Sequence, residues 1–169
     1  YNNDNSKVRG ETMKIKCGKL FIKENCISPI VYDDSDYYRF VKNYSEQGYY
    51  QVILSSTIMI DLLQNYFVER KFEIVGIDFM EEDEVLKNEI DILIRQIGES
   101  REKFCYLIEK LKFLNEDSSI EVKKLELKHL DRLGSTFLYL QVNGLYGIDI
   151  KHYDTEENYI KDIVERNLR

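Results

Sequence analysis

The chain has 169 residues, 43% of them hydrophobic, and it carries a formal net charge of −7. Length and apolar content predict a folded protein with a real core rather than a disordered chain. The acidic balance argues against a protein that coats nucleic acid through lysine and arginine contacts to phosphates, and three cysteines are too few for a disulfide scaffold. We therefore expect a soluble protein of the cytoplasm.

The first half of the chain alternates predicted strands with predicted helices. Residues 1–12 are polar and lack periodicity, so we interpret them as a tail or linker before a single α+β domain over residues 13–169.

The stretch 72–79 is apolar on both faces, which is typical of a strand inside a sheet. The tyrosines between 37 and 50 lie beside acidic residues, so we interpret them as packing residues rather than as a base-stacking surface. The predicted elements are a β-hairpin or bulged strand over 13–23, a strand over 27–32, a helix over 33–48, a strand over 49–54, a helix over 56–71 and the strand over 72–79.

The strongest periodic signal lies between residues 84 and 114. Apolar residues recur there at alternating steps of four and three, which is the heptad pattern of a helix that packs along one face. A continuous helix over this range would be about 46 Å long, whereas a break at Gly98 and Ser100 would give a helical hairpin. The heptad positions are Leu86, Ile90, Leu93, Ile97, Phe104, Leu107, Leu111 and Leu114.

The last third of the chain returns to predicted β structure. A strand over 119–130 precedes a hairpin over 135–153, in which Asn143-Gly144 forms a two-residue type I′ turn. This turn places Asp149 on the same face as the leucines of the preceding strand. We therefore expect a partly buried carboxylate, which needs a partner.

A final helix is predicted after the hairpin. Asp154 is its expected N-cap, and Glu157 would complete a capping box. The fold class expected from the whole pattern is α+β. It has a mixed or antiparallel sheet, one long amphipathic helix at about 84–114, and a C-terminal β-hairpin followed by a helix.

Asp149 and Lys151 form an acid-x-lysine pair at the end of the predicted hairpin. A metal-dependent nuclease needs carboxylates to hold Mg²⁺ against a phosphate and a lysine to position water, and residues two apart on a strand share a face. In the order of their elements, a helix, three strands and a helix, residues 84–168 resemble the core of the PD-(D/E)xK nuclease family. The resemblance implies a catalytic set of Asp149 and Lys151 with Asp131 or Glu121, and a Mg²⁺ ion on Asp149 and Asp131. The family's upstream aspartate belongs on the preceding strand, whereas Asp131 lies outside the hairpin.

The spacing of this pair is not specific. The same acid-x-lysine triplet occurs at Glu69–Lys71, Glu121–Lys123 and Glu126–Lys128, so chance alone supplies it in a chain so rich in charge. A structural pair between Asp149 and Lys151 is the other interpretation.

Two functional hypotheses follow from these patterns. The leading one is a non-catalytic interaction module without a cofactor, which associates with its own copy or docks a protein partner through the heptad helix 86–114. The same heptad spacing is also expected of a helix that packs on the sheet of its own domain and has no role in binding a partner. The alternative function is a Mg²⁺-dependent nuclease-like domain in phage defence or a mobile element. A nucleic-acid partner is disfavoured by the net charge, and no apolar run reaches the roughly 18 residues that a membrane span requires.

Overall fold

The computed structural model describes residues 13–98, 100–131 and 134–168, and the predicted tail 1–12 lies outside them. The described residues form five α-helices and seven β-strands, which confirms the α+β class. None of these helices is long and apolar enough to cross a membrane. The elements are β1 Ile15–Lys23, β2 Cys26–Val31, α1 Tyr37–Glu46, β3 Tyr50–Gln51, α2 Ser56–Gln64, a π-helix Asn65–Glu69, β4 Glu73–Phe79, α3 Glu84–Ile97, α4 Arg101–Asp117, β5 Val122–Asp131, β6 Gly134–Gln141, β7 Leu145–Asp149, a 3₁₀ turn Ile150–His152 and α5 Tyr153–Asn167.

The strands form one antiparallel sheet in the order β2-β1-β7-β6-β5-β4, and β3 pairs with β1 outside this path. Pro29 lies in the edge strand β2, where its missing N–H costs no ladder bond. The prediction that residues 72–79 form an interior strand is wrong, because β4 is the opposite edge. A register shift between Ile74 and Gly76 interrupts its pairing with β5, and Val75 at this bulge is exposed.

Four helices cover one face of the sheet. Helix α5 packs on β2 and β7, α2 packs on β5, and α3 packs on β4, while α4 lies against α2 and α3. The ring of Phe67, in the π-helix, stacks on Phe104 of α4 with 3.9 Å between centroids. The main core therefore lies between this face and the helical layer.

Helix α1 lies on the opposite face. Its N-cap residue, Asp36, accepts a hydrogen bond from the N–H of Arg39. The ring of Phe21 in β1 packs against Phe40 and Tyr44, with centroids 5.9 and 5.4 Å away. The aromatic residues of this stretch thus form a second, smaller core over β1.

The predicted single helix over 84–114 is two antiparallel helices. The first ends before Gly98, which has φ +51° and ψ −118°, and the hydroxyl of Ser100 caps the second by accepting from the N–H of Lys103. The helical-hairpin interpretation is therefore the correct one. Seven of the eight heptad side chains are buried in the chain's own core, and Leu93 is partly buried against it.

The hairpin of β6 and β7 forms as predicted, but its register differs by one residue. Its loop has three residues, because the N–H of Val142 donates to the Lys123 carbonyl and its own carbonyl accepts from the N–H of Leu54. Leu138 consequently pairs with Ile148 instead of Asp149. A shift of one residue exchanges the two faces of a strand, so Asp149 points away from the leucines with which it was predicted to pack.

A matched pair of substitutions in α4 distinguishes core from surface. We expect Leu107→Ala to lower the free energy of unfolding by about 2–5 kcal/mol, because Leu107 is fully buried and its loss leaves a cavity. We expect Tyr106→Ala, one residue earlier and exposed, to change it by less than about 0.5 kcal/mol. Urea denaturation followed by circular dichroism measures both, and equal losses would contradict the assignment of the heptad to the core.

Candidate functional site

Asp149 lies at the end of β7 and is only 5% exposed. Its Oδ1 accepts a hydrogen bond from the backbone N–H of Lys151 at 3.0 Å, so the carboxylate caps the 3₁₀ turn that follows. The backbone N–H of Ile150, the residue between Asp149 and Lys151, donates to the carbonyl of Lys14. The partner that a buried carboxylate needs is therefore a backbone group, and Asp149 joins the sheet to the last helix.

The predicted capping box of the last helix is wrong. Helix α5 begins at Tyr153, directly after the turn that Asp149 caps, so Asp154 lies inside its first turn. Glu157 instead accepts a hydrogen bond from the hydroxyl of Tyr146 at 2.6 Å, and the Tyr153 hydroxyl lies 3.3 Å from that of Tyr146. Burial, together with the hydrogen bond to Glu157, raises the pKa of both tyrosines above its usual range.

The four residues of the nuclease alternative do not converge. Asp131 ends β5, whereas Glu121 precedes it, and the two positions are on the order of 30 Å apart along an extended strand. Asp149 lies two strands away, beyond β6. Lys151 is exposed, while Asp149 is buried. Among the described residues, no group of three or more His, Cys, Asp or Glu side chains could hold a metal ion.

Lys19 is a buried cation that the sequence pattern does not reveal. It lies in the middle of β1 and is 0% exposed. Its Nζ donates to the carbonyl of Asn143 and lies 5.5 Å from the centroid of the Phe21 ring and 5.4 Å from that of Tyr37. The seven ion pairs found among the described residues do not include it. Burial lowers the pKa of Lys19 to about 8.

A second buried charge connects α5 to the π-helix. Glu156 is buried, and its two carboxylate oxygens accept from Arg70 and from the hydroxyl of Tyr66, the latter at 2.9 Å. The guanidinium carbon of Arg70 also lies 4.5 Å from the centroid of the Tyr159 ring. Burial and the charge of Glu156 raise the pKa of Tyr66 well above its usual range. All these groups have partners, so the cluster holds two helices together.

The outward side of the helical hairpin carries a second apolar stripe. Val85 and Ile92 on α3 are 78% and 48% exposed, and Tyr106 and Phe113 on α4 are 56% and 58% exposed. Residues seven apart lie on the same side of a helix, so each pair forms a short line.

An ion pair between the two helices gives their register. Nζ of Lys110 lies 2.6 Å from Oε1 of Glu89. In an antiparallel hairpin this register brings Val85 beside Phe113 and Ile92 beside Tyr106. We call these six residues the outer face of the hairpin: Val85, Glu89, Ile92, Tyr106, Lys110 and Phe113.

The signal for the outer face was present in the sequence. Each of its apolar residues directly precedes a heptad residue, as Val85 precedes Leu86 and Phe113 precedes Leu114. The heptad pattern accounts for only one of the two apolar lines. The predicted interface residues line the core, and the exposed apolar line lies beside them.

The cap at Asp149 generates a prediction for two substitutions. We expect Asp149→Ala to lower the free energy of unfolding by about 0.5–2 kcal/mol, because the N–H of Lys151 loses its acceptor. Asp149→Asn keeps an acceptor oxygen at the same place and should lose less. Chemical denaturation measures the difference, and equal losses from the two variants would contradict a capping role.

The buried Lys19 predicts a pH-dependent stability. Its pKa is about 8 in the folded chain and near 10.5 when solvated, so the unfolded chain binds more protons between these values. The free energy of unfolding should therefore rise with pH above 8, until the tyrosines of the unfolded chain begin to ionise near pH 10.

The control for this prediction is a pair of charge-removing variants. Lys19→Met should lack the rise in thermal stability above pH 8, whereas Lys123→Met, at an exposed position of β5, should keep it. Melting temperatures across this pH range provide the measurement. Parallel profiles for Lys19→Met and the unmodified chain would show that Lys19 titrates normally.

Comparison of the chain with protein-family models, with curated proteins and with solved structures finds no match. A function must therefore be argued from the residues themselves. The exposed outer face of the hairpin is the feature from which the proposed function is argued.

Proposed function

We propose that the chain is a non-catalytic interaction module that associates with a second copy of itself through the outer face of the α3–α4 hairpin. The observation that carries this proposal is the exposure of four large apolar side chains around one ion pair. Exposed apolar residues are ordinary when they are scattered singly, but aligned ones are typical of interaction surfaces. Tyrosine and phenylalanine are among the residues enriched at such surfaces.

The charges of the outer face favour a second copy as the occupant. Glu89 and Lys110 lie side by side at its middle, so the face carries one charge of each sign. A two-fold axis through this point and parallel to the two helices would bring Glu89 of one copy against Lys110 of the other, twice. The apolar residues on either side would then meet their counterparts from the partner. Equal and opposite charges thus make the face complementary to itself.

The expected dimer is a four-helix arrangement. Two helical hairpins that pack face to face commonly cross at about 20°, with side chains of one filling the gaps of the other. The heptad residues remain in the two separate cores, so each copy keeps its fold when the dimer dissociates. Association should therefore depend on concentration without a change in helix content.

Sedimentation velocity over a wide range of concentrations tests the proposal. We expect a monomer–dimer equilibrium for the unmodified chain and a monomer for Phe113→Glu, because a carboxylate would be buried in the apolar part of the interface. Tyr38→Glu is the control, since Tyr38 is an exposed aromatic residue on α1, away from the outer face, and its substitution should leave the equilibrium unchanged. A monomer at every concentration, including one that binds only a different protein, would overturn self-association.

A mixing experiment locates the interface at Glu89 and Lys110. Glu89→Lys alone places like charges at the centre of the dimer, and Lys110→Glu alone does the same with opposite sign, so each variant should associate weakly. A mixture of the two should associate strongly, because every contact across the two-fold axis then joins opposite charges. Failure of the mixture to associate better than its components would place the interface elsewhere.

A further inference from the structure

A cavity of about 300 Å³ opens where the α3–α4 turn meets the π-helix and the start of β4. It is unrelated to the outer face of the hairpin, which lies along the helices rather than at their turn. A neighbouring cavity of about 330 Å³ shares Phe67, Glu73 and Gly98 with it. The lining side chains fall into an apolar floor and a charged rim.

The floor is aromatic and firmly held. Phe67 and Phe72 are both buried, and Phe67 stacks on Phe104 while Phe72 packs edge-on against Tyr66, with centroids 4.9 Å apart. Tyr66 is held in turn by its hydrogen bond to the buried Glu156. The floor therefore offers a preformed apolar surface at the base of the cavity.

The rim is positively charged. Lys71 and Arg101 line the first cavity, and Arg95 and Lys128 line the second. Glu73 is the carboxylate that lines both cavities, and Nζ of Lys128 lies 3.6 Å from it. Arg101 takes part in none of the ion pairs found among the described residues. A concentration of positive charge in a chain of net charge −7 favours an anionic ligand at this place.

Three backbone irregularities converge on the same cavity. Phe67 belongs to the π-helix, a form that is rare and frequent at functional sites. Lys71 has φ +59°, which is costly for a residue with a side chain, and Gly98 has φ +51°. Each of these residues lines the cavity. Among the described residues, positive φ at a non-glycine position also occurs at Glu24, Asn25 and Ser119, and Lys71 is the one of these four that lines the cavity.

We propose that this cavity binds a small organic anion: one apolar ring that lies on Phe67 and Phe72, with a terminal phosphate or carboxylate held by Arg101 and Lys71. Arginine donates two parallel hydrogen bonds to either group, and lysine adds a point charge. The size of the cavity, at the lower end for ligand sites, suits a single ring rather than a dinucleotide.

Titration of the full chain with phenyl phosphate, benzoate and benzyl alcohol, followed by ¹⁵N–¹H correlation spectra, tests the proposal. We expect both anions to shift the amide signals of residues around the cavity, and the uncharged alcohol to bind at least about tenfold more weakly, because it lacks the charge-assisted hydrogen bonds. Tighter binding of phenyl phosphate would identify an organic phosphate as the ligand class, and tighter binding of benzoate a carboxylate. Equal binding of the alcohol, or an absence of localised shifts, would overturn the proposal.

Two variants on the same helix distinguish binding at the cavity from a general effect of positive charge on the affinity for anions. Arg101→Met should weaken phenyl phosphate binding about tenfold or more, whereas Lys112→Met, about 16 Å further along α4, should leave it unchanged. Both positions are exposed, and the same spectra report whether each variant remains folded. An unchanged affinity in Arg101→Met, or an equal loss in Lys112→Met, would reject the assigned rim. Because neither variant touches the outer face, self-association is tested separately.

Discussion

The antiparallel pairing of β1 with β7 is the contact on which the rest of the structure depends. It joins the first described strand to the last one and thereby unites β2-β1 with β7-β6-β5-β4 in one sheet. The pairing needs glycine at position 18, because a Cβ atom there would lie 2.3 Å from the hydroxyl oxygen of Tyr146. On the opposite face, a Cβ at Gly147 would lie 2.3 Å from Cε1 of Tyr139. Two missing side chains thus make room for two tyrosine rings over the central strands.

Hydrogen bonds between buried polar groups attach the helices to the sheet and to one another. Tyr146 donates to Glu157 and so fixes α5 on β7, while Glu156, one residue earlier, binds the π-helix through Tyr66. No described side-chain nitrogen or oxygen that is fully buried lacks a hydrogen-bond partner. Partnered groups of this kind stabilise one arrangement of elements, since each would be costly to bury alone. Packing therefore accounts for the polar residues of the core, Asp149 among them.

One face of the helical hairpin lies in the core, and other parts of the hairpin are exposed. Its heptad residues lie in the core and support β4 and α2. The outer face and the cavity at the turn use different residues, and the cavity also borders the sheet through Glu73 of β4 and Lys128 of β5. Self-association and ligand binding are consequently independent proposals. The first uses the outer face along α3 and α4, and the second uses the cavity beside the turn that joins them.

Local patterns in the sequence determined the kinds of elements and many of their limits. The alternation in β5 and β6, the Asp36 cap and the heptad line all depend on neighbours within a few residues, so they could be predicted. Only the tertiary structure determines which strands form the edges of the sheet. It also determines that Val142 lies outside the β6–β7 ladder, where it forms hydrogen bonds with Lys123 and Leu54. That choice moved Asp149 to the other face of the sheet. Likewise, heptad spacing is the same for a helix that packs on its own domain and for one that packs on a partner, and only the position of the sheet distinguishes them.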